Sequence, residues 1–237
     1  MRSVVLATYQ GEEFISAQLD SIVWQLDPED EVVVSDDAST DGTVSIIAAR
    51  NDPRIRLIRN SKRVGYVRNF ERAIASAKGQ FIFFSDQDDV WLPNKVTTLS
   101  MALTSHACVA TDAVVVDRDL RQVHASFFRL RSAENFSAFA VFFKPCFVGA
   151  TIACTRSYLD RLLPFPAGVP HDFWITLNAS WDADLTVIRE PLIYYRRHSS
   201  TASVSATGRR RSYGTIVLER ARILGAMLFR RTVPRVS

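Results

Sequence analysis

The chain has 237 residues, enough to bury a sizeable core but short for two full enzyme domains. Hydrophobic residues make up 47% and charged residues 23%, which excludes a disordered, collagen-like or low-complexity protein. The 29 Lys and Arg against 25 Asp and Glu leave a net charge of only +4, and the surplus sits in the tail, from Arg209, Arg210 and Arg211 through Arg220, Arg222, Arg230 and Arg231 to Arg235.

Ser3–Thr8 reads as a buried strand, and Ile15, Leu19, Ile22, Val23 and Leu26 then recur at helical spacing. Glu31–Asp36 is a second strand, followed by a helix start that Ser39, Thr40 and Asp41 are suited to cap. Ile55–Ile58 gives a third strand, Val67–Ala77 a helix ending at Gly79, and Phe81–Ser85 a fourth strand running into an acidic cluster. Beyond Ala107 the pattern is less regular, with a strand over Cys108–Val116 and short helices over Thr155–Leu163 and Asp172–Trp181. Strands alternating with helices predict an α/β protein built on a mixed, mostly parallel sheet flanked by helices, with its ligand at the carboxyl ends of the strands. An apolar strand pattern starting two residues after Met1 leaves no room for a secretory signal. The weakly charged stretch Ala138–Thr155 contains Lys144 and Pro145 and falls short of a bilayer span of about 20 residues. Cys108, Cys146 and Cys154 are an odd count without paired spacing, which suits a reducing compartment, so a cytoplasmic protein is expected.

Three strand ends converge on one chemistry: Thr8 to Gly11 after the first, Asp36 and Asp37 after the second, and Asp86, Gln87, Asp88 and Asp89 after the fourth. Carboxylates crowded at one edge repel one another, and hard oxygen donors favour Mg²⁺ or Mn²⁺ together with phosphate oxygens. Asp41 and Asn94 read as turn and cap residues, whereas the i, i+2 spacing of Asp86 and Asp88 points both carboxylates to one side of an extended segment.

Six fragments carry a resemblance. Ala7–Glu13, Val34–Thr43, Arg68-Asn69 and Phe83–Lys95, followed in order by His171–Trp174 with Tyr195–His198, resemble the family 2 glycosyltransferases, in particular their bacterial rhamnosyltransferase-like branch. The resemblance implies a GT-A fold and transfer of a sugar, with inversion, from a nucleotide-diphosphosugar to a hydroxyl of a saccharide or lipid-linked acceptor, in bacterial cell-surface polysaccharide synthesis. It implies that Thr8, Tyr9, Asp37 and Arg68 hold the base and neighbouring groups. Asp86 would contact the ribose, Asp88 would ligate Mg²⁺ or Mn²⁺, and Asp172 would be the catalytic base. His198 matches a residue near the metal and diphosphate, and also reads as a plain surface histidine. Asp172 alternatively caps a helix; beside it His171 and Trp174 would lie on the acceptor side, Trp174 offering an apolar platform for a sugar ring. One departure is Gln10, where members of the family commonly have Asn.

Two other readings stand beside this one. Asp86-Gln87-Asp88-Asp89-Val90 after an apolar strand also fits phosphatases of the haloacid dehalogenase type, with Asp86 as nucleophile and Asp88 as acid/base. The Arg-rich tail could belong to a non-catalytic basic binding module, although only Tyr213 and Phe229 interleave with its Arg side chains, a sparse set for nucleic-acid stacking. The domain division expected is a single catalytic domain over 1–208, with a nucleotide-sugar half (1–105) and an acceptor half (106–208), and a basic helical tail over 209–237. Val217, Ala221, Leu224 and Leu228 lie along one stripe of that helix, suited either to packing or to peripheral contact with the inner face of the plasma membrane.

Overall fold

A computed structural model of the chain describes residues 1–131, 137–197 and 213–232. The first half alternates as expected: β1 (Arg2–Thr8), α1 (Ile15–Val23), β2 (Glu31–Asp36), α2 (Thr43–Ala49), β3 (Ile55–Arg59), α3 (Tyr66–Ser76) and β4 (Phe81–Ser85). After these come β5 (Val90–Trp91), α4 (Lys95–Leu103), β6 (Cys108–Val116), β7 (Gln122–His124), α5 (Phe127–Leu130) and α6 (Ala138–Phe143). A 3₁₀ turn at Gly149–Thr151 leads into β8 (Ile152–Thr155), α7 (Arg156–Leu162), α8 (His171–Trp181), β9 (Leu185–Arg196) and α9 (Tyr213–Thr232).

All these strands form one sheet in the order β3-β2-β1-β4-β8-β6-β9-β5, with β7 paired to β6. β1 runs parallel to β2 and β4, and β2 parallel to β3, while β8 is antiparallel to both β4 and β6. β6 and β9 are parallel, so the carboxyl ends of β1, β2, β4, β6 and β9 share one edge. The pairs Thr8 with Asp36 and Val116 with Arg196 mark that edge.

The period-2 alternation of the strands divides the core in two. Val5, Val33, Ile82 and Phe84 face α3, α6, α7 and α8, and Ile223 and Met227 of α9 join the same cluster. Val4, Leu6, Val32, Val34 and Phe83 face α1, α2 and α4 through Leu19, Ile22, Ile47, Val96 and Leu99. Burial on both faces is why β1 and β2 read as nearly unbroken apolar runs.

Asn69 ties this frame to the site. It is buried on α3; its side-chain amide donates to the Ser35 carbonyl at 2.6 Å, and its Oδ1 accepts from Ser35 Oγ at 2.6 Å and from Asn60 Nδ2 at 2.9 Å. Substitution Asn69→Leu orphans buried donors and acceptors, each worth about 1–3 kcal/mol. Thermal unfolding of the variant is expected to fall by about 5–10 °C; an unchanged Tm would contradict the role given to this network.

Candidate active site

The loop after β1 is buttoned to the acidic segment after β4. Thr8 Oγ1 and the Tyr9 backbone N–H donate to Gln87 Oε1 at 2.6 and 2.7 Å, and Gln87 Nε2 donates to the Tyr9 carbonyl at 3.1 Å. Gly11 is required here, because a Cβ would lie 2.5 Å from Gln87 Oε1. Gln10 sits at φ +52°, a left-handed position that Asn tolerates better than Gln. Its side chain offsets that cost by accepting from the Thr40 and Asp41 backbone N–H groups at 2.9 and 3.1 Å, which joins the β1 loop to the β2 loop. The departure at Gln10 is thus absorbed locally. Asp41 behaves as a turn residue, accepting from Glu12 and Thr43, and Asn94 occupies the cap position of α4 in the left-handed conformation. The cap expected at α2 shifts accordingly: Gly42 is its first flanking residue, without a side-chain bond.

Asp37 is buried beneath the loop before α3, accepting from Asn60 Nδ2 at 3.1 Å and from the Val64 and Gly65 backbone N–H groups at 2.7 and 2.9 Å. It therefore fixes the loop that carries Arg63, whose guanidinium lies 4.0 Å over the Tyr9 ring. Arg68, half-exposed on α3, pairs with Glu71 one turn on.

Beyond β4 the acids crowd together. Burial, then the charges of Asp88 and Asp172, push the Asp86 carboxyl up to about 7, and burial beside Asp88 and Asp86 holds Asp89 well above the ordinary carboxylate range. Among them stands Lys95, fully buried at the start of α4, with its ammonium 4.3 Å from the Trp91 ring centroid and donating to the Ala150 carbonyl. Burial lowers its pKa to about 7 against the opposing pull of Asp89 and Asp86. Arg196, at the end of β9, closes the same loop from outside: its Nε donates to the Asp88 carbonyl at 2.7 Å, a guanidinium nitrogen donates to the Arg118 carbonyl, and its backbone N–H donates to Asp89 Oδ1 at 2.9 Å.

Asp172 faces this cluster from α8 closely enough to raise the Asp86 pKa. The expectation of a helix cap is corrected, since α8 begins at His171 behind Pro170, which places Asp172 inside the first turn. Its carboxylate accepts from the Phe173 N–H at 2.8 Å and from the Gly149 backbone, and burial holds it up at about 6. Two acceptor-side expectations are also corrected. Trp174 is 2% exposed, with its indole N–H donated to the Leu162 carbonyl at 3.2 Å, so no sugar ring can stack on it. His171 is buried against the rings of Phe70 at 4.2 Å and Phe84 at 5.5 Å; burial drives its pKa down to about 3, and neither ring nitrogen has a hydrogen-bond partner. Gly149 lets this imidazole in, because a Cβ there would lie 2.8 Å from Nε2. His198 lies outside the described residues.

Thr8, Asp37, Asp86, Asp88 and Asp172 thus meet at one edge, while Lys95, Gln87 and Arg196 are site residues that the sequence reasoning passed over. The Trp91-Leu92-Pro93-Asn94-Lys95 run was visible, but a lysine behind Pro-Asn reads as a solvated loop residue. Among the described residues no three His, Cys, Asp or Glu side chains are grouped so that they alone could hold a metal ion. Asp86 and Asp89 act on the buried Lys95, and Asp88 and Asp172 add their charge at Asp86, so a hard divalent cation held here would take one or two of these carboxylates and draw its other ligands from phosphate and water.

The family model for glycosyl transferase family 2 matches residues 3–162. Over 216 residues the chain is 27% identical to the Escherichia coli UDP-Glc:alpha-D-GlcNAc-diphosphoundecaprenol beta-1,3-glucosyltransferase WfgD, covering 86% of this chain and 79% of that protein. It is 28% identical over 217 residues to the Shigella flexneri dTDP-rhamnosyl transferase RfbG, covering 82% and 72% of the two. In structure it is similar to the mannosyltransferase PcManGT from Pyrobaculum calidifontis in complex with GDP-Man and Mn²⁺, with a TM-score of 0.62, 24% identity, and coverage of 100% of this chain and 65% of that one. The chain belongs to glycosyltransferase family 2 and has the GT-A fold, which removes the phosphatase reading of Asp86 and Asp88.

Removing the Lys95 amine should leave Asp86 and Asp89 without the cationic group that acts on both. Lys95→Met is expected to destabilise the protein by about 1–3 kcal/mol at pH 7, near the point where Lys95 and Asp86 both titrate and can carry opposite charges. The loss should shrink as pH falls toward 5, since acids with raised pKa values take up protons there and no longer need the lysine. Chemical unfolding at the two pH values checks this, and an equal loss at both would contradict it.

Proposed function

We propose, from this family membership, that the protein transfers a sugar with inversion from a nucleotide-diphosphosugar to a hydroxyl of a saccharide or lipid-linked acceptor at the inner face of the plasma membrane. The observation that supports the reading is that the charge of Asp172 acts on Asp86 in the acidic β4 loop, which Gln87 ties to Thr8 and Tyr9. WfgD is named for a UDP-Glc donor and a diphosphoundecaprenol acceptor, and RfbG for a dTDP-rhamnosyl donor, so a pyrimidine nucleotide donor and a lipid diphosphate acceptor are the best-supported choices.

In this reading the 1–105 half holds the donor. Thr8, Tyr9, Asp37 and Arg68 surround the base, with Asp37 acting through the loop it anchors as well as at the base, and Asp86 holds the ribose. Asp88, with His198, would hold Mg²⁺ or Mn²⁺, which when bound supplies Lewis-acid stabilisation of the departing diphosphate. The acceptor hydroxyl approaches from the 106–208 half. Asp172 takes its proton as the new C–O bond forms on the face opposite the breaking bond to the diphosphate. A carboxylate held near 6 is ionised at neutral pH yet more basic than an exposed one, which suits the task.

Asp172→Asn keeps the size and most hydrogen bonds of the side chain but cannot accept a proton. Sugar transfer is expected to fall by about two to four orders of magnitude while nucleotide affinity and Tm persist; near wild-type transfer would remove Asp172 from the mechanism. In the wild type, transfer should decline as pH drops through about 6, because the base is then protonated. Asp88→Ala should abolish the Mn²⁺-dependent part of donor binding, measured calorimetrically, and undiminished binding would refute the assignment.

A further inference from the structure

Seven of the 15 Phe residues fall within residues 127–147. Phe127, Phe128, Phe142 and Phe147 are buried in the larger core cluster, but Phe139 and Phe143 on α6 are 71% and 58% exposed, their rings tilted against one another at 4.7 Å between centroids. α6 packs on α8 through Val141 and Phe142, so the exposed pair is the outward face of a helix whose inner face is already satisfied.

α9 adjoins this face. Its Arg220 guanidinium lies over the rings of Phe142 and Phe173, at 5.7 and 4.6 Å, and its Arg230 reaches Asp182 at 3.2 Å, so the helix runs along α8. Ile223 and Met227 point inward to the core, which leaves Ala221, Leu224 and Leu228 on the outer side, Leu228 being 64% exposed. The stripe read from sequence is therefore turned away from the body rather than packed on it; Val217, its first member, has a side chain outside the described residues.

The two segments that carry this face are mostly basic, although Asp182 on the neighbouring α8 end pairs with Arg230. Residues 125–155 carry Arg129, Arg131 and Lys144 against Glu134 alone, and residues 209–237 carry eight Arg against Glu219 alone. A second copy of this face would bring like charges together, whereas an anionic bilayer complements them and accepts aromatic rings at its interface. Phe173, beneath Arg220, is the residue after Asp172, so this surface begins beside the proposed base. No helix among the described residues is long and apolar enough to cross a membrane.

We propose that the outward faces of α6 and α9 together form a membrane-docking surface, in which Phe139, Phe143, Leu224 and Leu228 enter the interfacial layer of an anionic leaflet and the arginines hold its headgroups. This surface deepens the reading of a lipid-linked acceptor and rests on it for its purpose, but binding is measured without any substrate, so the two can fail separately.

The test is co-sedimentation of the full chain with vesicles of phosphatidylcholine alone or mixed with phosphatidylglycerol. The wild type should partition to the anionic vesicles at least about ten-fold more strongly, and less so as salt rises. The double variant Phe139→Ser, Phe143→Ser should lose about ten-fold or more of that partition with unchanged Tm and unchanged transfer to a soluble acceptor. Phe143→Trp should be quenched by brominated acyl chains beyond the quenching of the parent. Full partition by the double variant would show that the Arg-rich tail acts alone and overturn the proposal. So would failure of the wild type to bind anionic vesicles, or a concentration-dependent dimer in sedimentation velocity that the substitutions abolish.

Discussion

Mutual repulsion among Asp86, Asp88, Asp89 and Asp172 is the constraint around which the rest of the molecule is arranged. In bulk water such carboxylates would separate; here the sheet edge and the first turn of α8 hold them together, and burial raises the cost. One buried ammonium, Lys95, offsets part of that cost from within. In the proposed function the remainder would be offset by a divalent cation and the diphosphate it accompanies.

Each support of the cluster links two parts of the chain that the family chemistry needs in register. Lys95 donates to the Ala150 carbonyl, and the neighbouring Gly149 supports the Asp172 carboxylate, so the acidic β4 loop and the proposed base are tied through one short turn. Gln87 joins the acidic segment to the Thr8–Tyr9 loop, and Arg196 joins it to β9. The first and second halves of the chain are therefore coupled by hydrogen bonds at the site itself, in addition to the shared sheet.

The first hundred residues were legible because their strands are buried on both faces and their helices show one apolar stripe, so periodicity and turn residues separate cleanly. The second half hides its strands. β8 is four residues long, and β9 is interrupted where Arg189 and Glu190 leave the ladder, the pairing with β6 jumping from Ile188 opposite Thr111 to Pro191 opposite Asp112. Trp174 was misjudged for a related reason: α8 is covered on nearly every side, so an aromatic beside a candidate base is core rather than platform. Asp172 was found through the resemblance alone, and its first-turn position needed the backbone. The phenylalanine cluster at 127–147 was plain in the sequence, but only the fold separates its buried members from Phe139 and Phe143.

If the acidic edge is held together against its own charge, ligands that neutralise it must stabilise the whole fold, and must do so jointly. Thermal unfolding of the wild-type protein at pH 7.5, compared in chelator, in Mn²⁺, in UDP or dTDP, and in Mn²⁺ with the nucleotide, measures this directly. The account predicts a small rise with either alone and a larger rise with both than the two single shifts add up to. A Tm that is the same in all four conditions, or a nucleotide shift that is indifferent to Mn²⁺, would contradict it.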